Sequence, residues 1–144
     1  MESNEKTTIS VHTKINAPIH LVWKYWTTPN DIVKWNHAND EWHTTKAEND
    51  LRKWGKFNYR MEAKDGSFGF DFAGAYDKVK TNKSIEYTLG DGRKVKISFS
   101  EMGGKTEVIE TFEAESENSV ELQRNGWQAI LDNFKIYTES NNNN

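Results

Sequence analysis

Residues 118–138 constrain this chain more than any other stretch. Val120, Trp127, Ile130, Leu131, Phe134 and Tyr137 recur there at helical spacing, so the segment reads as one long helix with a single apolar face. Asn118, followed three residues later by Glu121, resembles a capping box and is expected to open the first turn. A rise of ~1.5 Å per residue makes such a helix about 30 Å long, the width of a small domain. Almost everything before it alternates as strands do. A sheet with one apolar face and a helix with one apolar stripe bury each other, so the chain is expected to fold as a helix laid across an antiparallel sheet.

The strands can be read in order. Residues 7–15 place Ile9, Val11, Thr13 and Ile15 on one face and His12 on the other, the pattern of a half-buried strand. Pro18 suits the first turn of a helix whose stripe is Ile19, Val22, Trp23 and Trp26, with His20 on its exposed face. Thr28-Pro29 ends that helix and opens a second short one carrying Ile32, Val33 and Trp35. From Trp42 onward the chain is strand and turn. Phe57, Tyr59, Met61 and Ala63 lead to Asp65-Gly66, a two-residue type I′ turn by composition, and Phe68, Phe70, Phe72 and Tyr76 follow. That register sets Met61 opposite Phe70 and Tyr59 opposite Phe72, with the large apolar groups on one face. Gly69 and Gly74 interrupt the second strand and mark bends that let a sheet wrap.

In the next hairpin, Ile85, Tyr87 and Leu89 share a face, as do Val95, Ile97 and Phe99. A two-residue loop would split these sets across the sheet. An odd loop, Gly90-Asp91-Gly92 with a left-handed glycine and a bulge, keeps them in phase and is predicted. Gly103-Gly104 then makes a two-residue turn that pairs Phe99 with Val108, Ile97 with Glu110 and Val95 with Phe112. Glu110 therefore falls on the apolar face. Either a local bulge turns it out to a surface partner, or it is a polar group inside a ligand pocket.

The mean hydropathy is −0.91, yet the 144 residues include six Trp, five Tyr and seven Phe, which a disordered chain would lack. The expectation is one domain over residues 1–140 and a frayed polar tail over 141–144. A net charge of −3 and a pI near 5.8 argue against nucleic-acid binding, which needs clustered Lys and Arg. No apolar run approaches the ~20 residues of a membrane span, and the first residues have no signal-peptide core. The absence of cysteine fits a cytoplasmic protein.

Several short motifs in a fixed order carry a resemblance. They are Ala17-Pro18 with Val22-Trp23, Thr28-Pro29 with Trp35, Asp50-Leu51-Arg52 with Gly55-Lys56-Phe57, Asp65-Gly66-Ser67, and Gly74 with Tyr76. Asp91-Gly92-Arg93, Thr106 with Glu110-Thr111-Phe112-Glu113, and Gly126-Trp127 complete the series. Together they resemble the activator of Hsp90 ATPase homologue 1-like family of the START-like (SRPBCC) helix-grip superfamily. One departure is Trp54-Gly55, where the family usually shows Gly-Gly; it questions the local turn geometry and could bring Trp54 to a pocket rim.

The resemblance implies an α+β helix-grip fold: a strongly curved antiparallel sheet of about seven strands around the C-terminal helix, with two short helices after the first strand. It also implies an apolar cavity between helix and sheet, taking a small hydrophobic or amphipathic ligand. Trp35, Trp42 and His43 are expected at its mouth. Tyr59, Met61, Phe70, Phe72, Tyr87, Phe99, Glu110 and Phe112 are expected along the sheet, and Trp127, Ile130, Leu131 and Phe134 on the helix. Gly126 beside Trp127 gives up about 1 kcal/mol relative to Ala, and permits close backbone approach or leaves space. Stimulation of a chaperone ATPase, the activity in the family's name, belongs to larger members with an additional N-terminal domain, for which this length leaves no room.

His37, Asp40, Glu41 and His43 put two histidines and two carboxylates within seven residues, but without HExxH or similar spacing, and no metal or other cofactor is expected. No Ser or Cys lies in a nucleophile motif, and no catalytic residue is assigned. Three functions remain open: a small-molecule binder, an enzyme using His37, His43 or Glu110 for acid–base chemistry, and a regulator of a chaperone ATPase.

Overall fold

The computed structural model describes residues 7–142. Its elements are β1 (Thr8–Ile15), α1 (Ile19–Thr27), α2 (Pro29–Trp35), β2 (Trp42–Asn49), β3 (Lys56–Ala63), β4 (Gly69–Lys80), β5 (Ser84–Leu89), β6 (Lys94–Met102), β7 (Lys105–Glu113) and α3 (Val120–Ser140). The strands form one antiparallel sheet in the order β1-β7-β6-β5-β4-β3-β2. Strands β2 to β7 meander, and β1 returns beside β7. This is the expected α+β architecture: seven curled strands, a long C-terminal helix and two short helices after the first strand.

The hairpin registers follow from side-chain alternation. In β3–β4, Tyr59 faces Phe72 and Met61 faces Phe70, but the turn differs from the two-residue type I′ expected. Ala63 N donates to Phe68 O at 2.8 Å, and Gly66 N returns to Ala63 O at 2.9 Å, so four residues form the loop. Gly66 has φ +77° while Asp65 is not left-handed, and a type I′ turn needs both. The reason is local: Lys64 N is taken by Glu41 O, and Ser67 N by the Asp65 carboxylate, so that pair cannot close the ladder. Two-residue and four-residue loops have the same parity, which preserves the register.

The odd loop in β5–β6 is present. Leu89 N donates to Arg93 O at 2.8 Å, Gly92 takes φ +94°, and Tyr87 sits opposite Val95. In β6–β7, Gly103 and Gly104 both have positive φ, and Ile97 faces Glu110 without a register shift. No bulge turns Glu110 outward.

Two helix starts differ from expectation by one residue. Pro18 lies just outside α1 as its N-cap, in extended conformation, with its carbonyl accepting from Leu21 N and Val22 N. Ser119, not Asn118, caps α3: its hydroxyl accepts from Leu122 N at 3.0 Å. Asn118 is drawn away because both its backbone N–H and its side-chain amide donate to the Glu115 carboxylate. Beyond α3, Asn141 N reaches the Tyr137 and Thr138 carbonyls, and the Asn142 amide donates to Asn16 O. The rest of the expected polar tail, Asn143 and Asn144, lies outside the described residues.

Curvature positions the site. The ladder slips between Thr44 and Lys46 and between Tyr76 and Lys78, and such bulges bend a sheet. Gly74 admits a close crossing, since a Cβ there would lie 2.6 Å from Thr88 O and 3.0 Å from the Phe57 ring. Within the sheet, α3 approaches β1 most closely, and it also packs on α1 and α2. The aromatic residues accordingly fall into two groups. Trp23, Trp26, Trp35, Phe99 and Phe134 close on one another under the helices, with ring centroids 4.7–5.8 Å apart. Phe57, Tyr59, Phe72, Tyr76 and Tyr87 pave β3 to β5.

Candidate functional site

Between these aromatic groups lies a cavity of about 420 Å³, within the range of small-molecule sites. Tyr59, Met61, Phe72, Tyr76, Ile85 and Tyr87 line it from the sheet, Gly126, Trp127 and Ile130 from α3, and Trp26 and Trp35 from the short helices. Its wall reaches the surface at Phe70 and Leu122, which are 39% and 59% exposed. Trp42, Phe68 and Phe70 form a loose aromatic cluster there, with centroids about 6 Å apart.

Gly126 explains why space survives beside the helix. A Cβ at that position would meet no atom within 4 Å, so the missing side chain is part of the void. Trp127 next to it stacks on Phe112 at 3.8 Å and meets Phe72 edge-on at 6.0 Å. This ring props α3 above the sheet. At the start of the helix, the buried Gln123 side chain accepts from Glu115 N and donates to the Glu115 and Asn118 carbonyls, holding the chain segment that leads from β7 into α3. On the opposite wall, buried Asn36 donates to Thr44 Oγ1, whose hydroxyl returns to Asn36 O.

Glu110 is the one carboxyl deep in this wall. It is 7% exposed, flanked in the sheet by Val11 and Ile97, and has no hydrogen-bond partner among the described residues. Burial pushes its pKa up to about 8, so at neutral pH it is mostly protonated. Burial also raises Tyr59 and Tyr87, and the Glu110 charge adds to both shifts. Burial moves Tyr76 to about 12, and its hydroxyl donates to Asn49 Oδ1 at 2.5 Å. The inner wall thus presents three phenols and a carboxylic acid, all neutral, among apolar rings.

Of the residues expected at the cavity, Trp35, Trp42, Tyr59, Met61, Phe70, Phe72, Tyr87, Glu110, Trp127 and Ile130 line it. Phe99, Phe112, Leu131 and Phe134 do not. Phe99 and Phe134 are consumed by packing on Trp26, Phe112 is covered by the Trp127 ring, and Leu131 is fully buried. His43 lies on β2, paired with Glu62 across the ladder and outside the wall. Trp54, considered as a rim aromatic, is 74% exposed with Lys53 Nζ 4.9 Å from its ring centroid, and is not part of the wall.

Sequence reasoning did not assign Trp26, Tyr76, Ile85, Arg93 or Gln123 to the wall. Trp26 and Ile85 were readable as core stripe, but which core residues border a void depends on how far the sheet curls. His37, a candidate acid–base group, is also outside the wall. Its Nε2 accepts from the Asn133 side-chain amide at 3.0 Å, its Nδ1 is buried without a partner, and burial, followed by the Lys64 charge, lowers its pKa. Among the described residues, no group of three or more His, Cys, Asp or Glu side chains is placed to hold a metal ion.

A curled antiparallel sheet gripping a long helix across an apolar cavity defines the helix-grip, START-like class. The family model described as activator of Hsp90 ATPase homolog 1-like protein matches residues 16–139, and the chain belongs to that family. The solution structure of an AHSA1-like protein from Aeromonas hydrophila is 42% identical, with a TM-score of 0.88 over 93% of this chain and 93% of that one. A protein of Cytophaga hutchinsonii is 54% identical, with a TM-score of 0.78 over 94% and 93%. A protein of Chromobacterium violaceum shares the fold at 21% identity, with a TM-score of 0.83 over 92% and 98%. No curated protein matches the chain. Among the described residues, no helix is long and apolar enough to cross a membrane.

Proposed function

We propose that this protein is a cytoplasmic domain that binds a small hydrophobic or amphipathic molecule between α3 and the sheet. The observation that carries this reading is the cavity of about 420 Å³, lined by rings and containing one buried acid without a hydrogen-bond partner among the described residues. Burying polar chemistry beside empty apolar space is unfavourable unless something fills it. An acid–base enzyme is less well supported, because His37 and His43 lie outside the wall. A chaperone-regulating surface is favoured by a filled core, and this core is not filled.

The test is native mass spectrometry of protein purified from its own host, compared with Gly126→Leu. The expected outcome is a co-purifying small molecule on the wild type and none on the variant, whose added side chain projects into the cavity. A wild-type protein that is always empty would count against the reading.

A further inference from the structure

We propose that the ligand of this cavity carries a cationic nitrogen, received by the Glu110 carboxylate among the rings of Tyr59, Phe72 and Tyr87. The inference rests on the binding reading above and narrows its ligand to a class. One basic and two carboxyl side chains belong to the wall: Arg93, Glu110 and Glu115. The Arg93 guanidinium is held by Asp91, Nε to Oδ2 at 2.8 Å, and its field also reaches Glu115. That cation is therefore matched within the protein, whereas Glu110 has neither ion pair nor hydrogen bond among the described residues.

A carboxylic acid ligand would bring a third acid to this wall, whose one cation, Arg93, is already held by Asp91. An ammonium group would instead find a carboxylate and the negative faces of aromatic rings, the combination that binds desolvated cations. It would also relieve the burial that holds Glu110 protonated: on binding, the Glu110 proton passes to solvent and the carboxylate pairs with the incoming charge. A ligand with an apolar body and one amine uses both the ring-lined volume and the buried acid, Glu110.

Three probes of one shape separate the possibilities: phenylbutylamine, phenylbutanol and phenylbutyrate, titrated calorimetrically at neutral pH. The amine is expected to bind about tenfold or more tightly than the alcohol, a difference of ~1.4 kcal/mol, with phenylbutyrate the weakest. The amine's binding heat is expected to vary with the ionisation heat of the buffer, reporting the released proton. In Glu110→Gln the ratio of amine to alcohol affinity is expected to fall to about one and the buffer-dependent heat to vanish, while a cooperative thermal transition in the variant shows that the fold is intact. An alcohol or carboxylate that binds as tightly as the amine, or an amine advantage that survives Glu110→Gln, overturns the inference and leaves the cavity-ligand reading standing. Absence of binding by all three overturns both.

Discussion

Glu110 stands in a row of apolar neighbours, Val11 on β1 and Ile97 on β6, and its burial couples stability to pH. Its folded pKa of about 8 lies above the ordinary value of 4.5. Below 4.5 both folded and unfolded chains hold the proton, and the native state bears no penalty. As pH rises from 4.5 towards 8 the unfolded chain ionises first, so stability falls, and it levels off above the folded value. Glu110→Gln removes this slope. Denaturant unfolding across that range should show the variant gaining on the wild type as pH rises, by a few kcal/mol at most, since each pKa unit is worth about 1.4 kcal/mol. A difference that stays constant with pH would mean that Glu110 is ionised in the native state. A second strained residue is Trp54, at φ +74°, a conformation that suits glycine and costs a bulky side chain of order 1 kcal/mol. Trp54→Gly is expected to hold or raise the melting temperature. Gly55→Ala is expected to lower it sharply, because its Cβ would lie 2.0 Å from Asp50 O. The departure from Gly-Gly in the sequence is thus a tolerated strain at the first position, not an aromatic recruited to the cavity.

At the scale of the element, α3 combines a sound cap with a deliberate gap. Ser119→Ala removes the hydroxyl that accepts from Leu122 N, and such losses cost about 1 kcal/mol. Gly126→Ala should move stability the other way by up to ~1 kcal/mol, since Ala is the better helix former and nothing stands within 4 Å of the new methyl. Equilibrium unfolding of the two variants checks both signs. If Gly126→Ala destabilises, α3 lies closer to the sheet than described and the cavity is smaller. The hairpins carry the complementary lesson. Their registers were legible because alternation of large apolar residues permits only one phase. The β3–β4 turn was not legible in detail, because the Lys64 backbone is claimed by Glu41, a residue more than twenty positions earlier.

For the whole molecule, the closed aromatic group around Trp26 and the open one around Tyr87 divide the work. The first clamps α1, α2 and α3 together, and the second faces the void. A ligand that fills that void without binding the unfolded chain should stabilise the protein by about 2.7 kcal/mol at a hundredfold excess over its dissociation constant. Thermal unfolding with increasing phenylbutylamine measures this directly, and a midpoint insensitive to the probe would mean that the folded protein does not bind it in preference to the unfolded chain.

The amino-acid sequence determined the strand phases, the long helix and the family, and it set Glu110 in phase with the apolar face; the unbroken β6–β7 ladder then decided that no bulge turns it outward. Each of the sequence readings follows from near-neighbour periodicity or an ordered series of motifs, which need no knowledge of distant contacts. It did not separate Phe99, Phe112, Leu131 and Phe134 from the residues that line the cavity, although all share the same apolar faces. That division was made by curvature: the bulges at Thr44/Lys46 and Tyr76/Lys78, the close crossing at Gly74 and the Trp127 ring on Phe112. Whether an inward side chain meets another or meets empty space depends on the separation of two layers, and only tertiary packing sets that separation.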